Sequence, residues 1–81
     1  MNDQQLLQRI TTDPKVMTGK PVIKGTRLTV EFILNQLAHG MSFGDIQAEY
    51  DGVTDDDIRA CLLFAQRSLE NTSFMPLVAA A

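Results

Sequence analysis

Three times between residues 29 and 71 the chain repeats one local pattern that only a helix start satisfies well. An apolar residue precedes a hydroxyl residue, and a second apolar residue follows at the fourth helical position: Leu28-Thr29 with Ile33, Met41-Ser42 with Ile46, Val53-Thr54 with Ile58. The hydroxyl accepts from an otherwise unpaired N–H, and the flanking apolar pair fixes the angle at which the chain enters the helix. Asp45 and Asp57 stand three residues after Ser42 and Thr54, completing capping boxes. The first helix carries Val30, Ile33, Leu34 and Leu37 on one face and stops at Gly40, which tolerates the left-handed conformation of a helix end. The second carries Phe43, Ile46 and Tyr50 and stops at Asp51-Gly52. The third runs to about Asn71 along Ile58, Cys61, Leu62, Ala65 and Leu69. A short helix, a tight turn holding Gly52 and a longer helix make a helix-turn-helix.

Residues 1–28 read differently. Leu6 to Thr11 fits either a strand or a helical turn. Asp13-Pro14 is a turn signal. Val16-Met17 and Val22-Ile23 are short apolar pairs bounded by Gly19 and Gly25, as in a small hairpin. The predicted fold is therefore mainly α: a three-helix bundle containing a helix-turn-helix, with a short N-terminal β-hairpin-like segment. Residues 1–71 form a single domain, and 72–81, uncharged and interrupted by Pro76, form a flexible apolar tail.

A domain of 81 residues buries only about 60% of the surface its unfolded chain exposes. Cys61 is the only cysteine, so no disulfide compensates, and no Cys/His cluster suits a structural metal. Self-association is the expected support. Ala60, Leu63 and Phe64 extend the apolar surface of the third helix beyond its main stripe and mark the expected homodimer interface. A lone thiol suits a reducing cytoplasm, and no stretch reaches the ~20 apolar residues of a membrane span.

Charge divides the chain. Residues 1–28 hold five bases and two acids, whereas 29–81 hold two bases and eight acids. An anionic partner meets attraction at one half and repulsion at the other. Catalytic chemistry finds little to work with. Gly19-Lys20-Pro21-Val22-Ile23-Lys24-Gly25-Thr26 misses phosphate-loop spacing, and Pro21 lacks the N–H such a loop needs. Asp51-Gly52-Val53-Thr54-Asp55-Asp56-Asp57 misplaces the glycine of a calcium loop and lacks its closing glutamate. Cys61 belongs to the buried stripe, and His39 suits the negative end of the first helix. No catalytic residue, cofactor or metal site is assigned, and the chain is read as non-enzymatic.

Gly19-Lys20-Pro21-Val22-Ile23-Lys24-Gly25-Thr26-Arg27, then Gly40-Met41-Ser42, Ile46, Tyr50, Thr54-Asp55-Asp56-Asp57-Ile58-Arg59-Ala60 and Phe64-Ala65 resemble domain-of-unknown-function family 433. The family often has proline where Thr29 stands and Pro-x-Leu near Asp51-Gly52-Val53. The resemblance implies an antitoxin-like member of a toxin–antitoxin module, often beside a PIN-type, ribonuclease-like toxin. The expected function is a dimeric DNA-binding regulator that recognises its operator and binds that toxin. The start of the third helix, Asp55-Asp56-Asp57, would repel phosphate. The expected DNA contacts are therefore Lys20, Lys24, Thr26 and Arg27 around the glycine turn, with Arg59 on the helix. The alternative is a protein-interaction module that uses its acidic helical face without DNA. Leu77-Val78-Ala79-Ala80-Ala81 also resembles the small apolar C-termini taken by bacterial unfolding proteases.

Overall fold

The computed structural model describes residues 1–70 and Ser73. Its elements are α1 (Asp3–Leu7), β1 (Ile10–Thr11), β2 (Val22–Ile23), α2 (Val30–Ala38), α3 (Phe43–Glu49) and α4 (Asp55–Leu69). The three helices predicted from the caps are α2, α3 and α4. Thr29, Ser42 and Thr54 each accept from the backbone N–H three residues on, and Ser42–Asp45 and Thr54–Asp57 close reciprocal boxes. Gly40 and Gly52 take φ of +94° and +86°, the left-handed stops that a side chain would strain. α4 ends at Leu69 with Glu70 as cap. The predicted extension to Asn71 and most of the 72–81 tail lie outside the described residues.

Ile33, Ile46 and Ile58, one from each helix, are completely buried together with Cys61. Around them Leu28, Leu37, Met41, Phe43 and Tyr50 close the bundle, joined by Ile23 from β2. Phe32 meets Tyr50 edge-to-face at 5.4 Å, pinning α2 to the end of α3. α3, the turn and α4 form the helix-turn-helix.

The N-terminal part departs from expectation in two ways. The sequence paired Val16-Met17 with Val22-Ile23. Instead β2 pairs antiparallel with β1, Ile10 opposite Ile23 and Thr11 opposite Val22. This register delivers Ile23 to the core beside Ile10, whereas Met17 to Gly19 coil into a tight left-handed turn that cannot serve as a strand. The chain then returns on itself, with Val30 N–H donating to Pro21 O at 2.9 Å and Ile23 N–H to Leu28 O at 2.9 Å.

The second difference is α1. An Asn2–Gln5 capping box starts a helix in the first five residues, and α1 packs along α4. Asp56, Asp57, Ala60, Leu63 and Arg67 recur at helical spacing on one side of α4. Arg9, just past α1, reaches Asp57 and Asp56, and Asp3 reaches Arg67. The ion pairs bracket the stripe, so α1 lies over it. Ala60, assigned to a homodimer interface, is already 0% exposed within the single chain. Leu63 and Phe64 are half-buried, and Phe64 also packs on the core.

Candidate nucleic-acid interface

Two turns build the candidate surface. In the first, Asp13 Oδ1 accepts from Lys15 N–H at 2.9 Å, and Val16 N–H donates to Asp13 O at 2.8 Å. Met17, Thr18 and Gly19 follow with φ of 49°, 55° and 83°. Two successive non-glycine residues in this region cost on the order of 1 kcal/mol each, which the surrounding structure must offset. The coil is closed by Gly19 N–H to Val16 O and Lys20 N–H to Met17 O, both 3.1 Å. It aims Lys15 and Lys20 toward the second turn, residues 23–28, in which Gly25 has φ +81°.

Lys15, Lys20 and Arg27 consequently line one shallow depression with Pro14, Met17 and Thr18. Lys20 and Arg27 also share the neighbouring concavity, whose walls include Glu31, Phe32 and Asn35. The structure thus unites two predicted contacts, Lys20 and Arg27, and adds Lys15. The sequence counted Lys15 as charge but assigned it no contact, because the left-handed coil that brings it across is not a local pattern.

The other predicted contacts fare differently. Lys24 lies away from this group, beside Arg9, Gln5, Gln8 and Asp57. Thr26 Oγ1 donates its proton to Ile23 O at 2.8 Å and accepts from Leu28 N–H at 3.0 Å. A hydroxyl has one proton to give, so Thr26 holds the turn and cannot donate to a phosphate oxygen. Arg59 pairs with Asp56 at 3.3 Å on α4. Lys20 itself pairs with Glu31 at 2.9 Å. Both ions there are exposed, and such a pair contributes at most ~1 kcal/mol, so an anionic ligand can compete for the lysine. Lys15, Lys24 and Arg27 make no ion pair among the described residues.

The helical half carries the opposite sign. Asp45, Glu49, Asp51 and Asp55 are exposed on α3, the turn and the start of α4. Asp45 is held below the ordinary carboxylate pKa chiefly by the backbone N–H of Ser42, then by its hydroxyl. Asp55 accepts a hydrogen bond from Gln47. Only Asp57 among the α4 acids is buried, where Thr54 N–H and Arg9 both donate to it at 3.0 Å.

Cys61 offers no nucleophile. Removal from water, followed by the nearby Asp57 charge, pushes its thiol pKa up to about 12. Below pH 9 the folded protein should resist iodoacetamide and unfolded protein should react fully; rapid native alkylation would contradict the burial. Because the folded pKa lies above the unfolded value, this group's stabilisation is complete below pH 9 and is lost as pH climbs toward 12. His39 caps α2, donating from Nδ1 to Asn35 O at 2.8 Å. No cluster of metal-ligating side chains occurs among the described residues, and none of their helices is long and apolar enough to cross a membrane.

Fold and surface together define a small helix-turn-helix protein with a β-paired, cationic N-terminal segment and an acidic helical face. The chain belongs to the family described as protein of unknown function DUF433, whose model matches residues 10–65. A crystal structure of a DUF433 member from Anabaena variabilis superimposes with a TM-score of 0.73 at 27% identity, covering 83% of this chain and 66% of that one. The chain thus spans just under two thirds of that relative's length. An uncharacterised protein of Archaeoglobus fulgidus is 60% identical over 25 residues, 31% of this chain and 69% of the relative.

Proposed function

We propose that this protein is an antitoxin-like regulator of a toxin–antitoxin module that meets DNA phosphates through its N-terminal turns rather than through its helix-turn-helix. The observation that carries the reading is the gathering of Lys15, Lys20 and Arg27 around one depression. The usual reading helix, by contrast, opens on Asp55, Asp56 and Asp57. A DNA complex depends on cations facing phosphates. In a standard dock the start of α4 would face the duplex, and three carboxylates there oppose it. The N-terminal group sets one nearby acid, Glu31, against Lys15, Lys20 and Arg27. Dimerisation would place two copies of the depression on one operator.

The test is a binding titration on a duplex from the protein's own upstream region, across salt. Removing Lys15 and Arg27 together should flatten the salt slope by roughly 1.8, about 0.9 for each lost phosphate contact. Lys24→Ala should leave the slope alone. An unchanged slope in the Lys15/Arg27 double variant sinks the assignment.

A second reading concerns the acidic face. Asp45, Glu49, Asp51 and Asp55 suit a partner that presents cations, as a ribonuclease-like toxin of the PIN type does where it holds RNA. In co-purification with the product of the adjacent gene, neutralising these four side chains should abolish capture while DNA binding persists. Undiminished capture removes the acidic face from the toxin interface.

A further inference from the structure

Between α2 and the last turns of α4 lies an apolar groove. Pro21, Val30 and Leu34 form one wall, and Phe64, Ala65 and Leu69 form the other. The Lys20–Glu31 ion pair stands at its rim. This groove adjoins the cationic depression at Lys20, but its apolar walls play no part in the nucleic-acid reading. Leu69 is 65% exposed at its edge, although a leucine costs free energy when left in water.

We propose that the chain's own C-terminal segment, residues 71–81, docks in this groove. Three observations on the chain favour this occupant. The segment departs from Glu70, immediately beyond Ser68 and Leu69, which line the groove. It therefore begins at the groove's edge and need not search for it. Its composition is complementary: Asn71 to Ala81 contains no charged side chain and includes Phe74, Met75, Leu77 and Val78, the residue types an apolar trough takes from water. Its length is sufficient too, since eleven residues span up to roughly 36 Å when extended, enough to turn back from the end of α4 along α2 toward Pro21. A charged partner peptide gains nothing from such walls.

The experiment replaces Phe74 with the photo-crosslinker p-benzoylphenylalanine in the full chain, a change that keeps an aromatic ring at that position. The expected product has the mass of one chain, with crosslinks in peptides containing Leu34, Phe64 or Leu69. Leu69→Asp, an exposed position whose substitution leaves α4 and the core in place, should lower that yield several-fold while the helical circular dichroism stays constant. Products at the mass of two chains would assign the groove to a second copy, and crosslinks spread over unrelated peptides would leave the segment undocked. Either result overturns the proposal, as does a yield indifferent to Leu69→Asp.

Discussion

Ile58→Ala should lower the unfolding free energy by about 3–4 kcal/mol. The residue is completely buried, and it serves two structures at once. It is the apolar partner of Val53 at the start of α4, and it fills the centre of the bundle between Ile33 and Ile46. Removing its three outer carbons forfeits about 0.8 kcal/mol of transfer free energy for each, and the rigid surroundings leave a cavity that adds to the loss. Domains of this size rarely hold more than ~12 kcal/mol in total, so much of the margin disappears. Thermal unfolding followed by circular dichroism should show a midpoint lowered by roughly 15–30 °C, at about 4–8 °C per kcal/mol. Leu62→Ala, at a site 43% exposed, should change stability by only about 0.5 kcal/mol. Equal effects at the two positions would contradict the placement of the core.

Asp57→Ala should cost about 2–3 kcal/mol through a different cause. One carboxylate oxygen accepts from Thr54 N–H and closes the capping box of α4, a role worth about 1 kcal/mol. The other accepts from Arg9 at 3.0 Å, and a hydrogen bond between charged groups contributes about 1.5–3 kcal/mol when sheltered. Arg9 keeps a third of its side chain in water, so the lower part of that range applies. Urea unfolding of Asp57→Ala, Arg9→Met and the double variant separates the parts. A coupling energy of about 1 kcal/mol is expected. Strict additivity would mean that the Arg9–Asp57 pair adds nothing to the hold of α1 and β1 on α4.

This ion pair also marks where sequence reasoning stops. α2, α3 and α4 were legible because their signals are local: cap, box and staple all fall within five residues of each start. α1 carries a local box as well, Asn2 with Gln5, but five residues are too few for a helix to persist on propensity. Its support comes from α4, more than 45 positions away, which no short-range pattern reveals. The same holds for β1. Its choice of Val22-Ile23 as partner depends on Ile23 reaching the core, and the nearer pair Val16-Met17 lost because Met17 sits in a left-handed coil. In the candidate interface, Lys20 and Arg27 were recognisable as neighbours of one glycine turn, whereas the separation of Lys24 from them required the actual path of the backbone. Thr26 differs for a simpler reason: its hydroxyl bonds Ile23 O and Leu28 N–H and so serves its own turn. Arg59 with Asp56 follows from their spacing of three along a helix.

The clasp of α1 on α4 has a consequence for biosynthesis. Its fastenings join residue 9 to 57 and residue 3 to 67, so residues 3–9 find these partners only after α4 has been synthesised. Until then Leu6, Leu7 and the future seat of Ala60 stay wet, and the acidic and basic halves are not yet locked together.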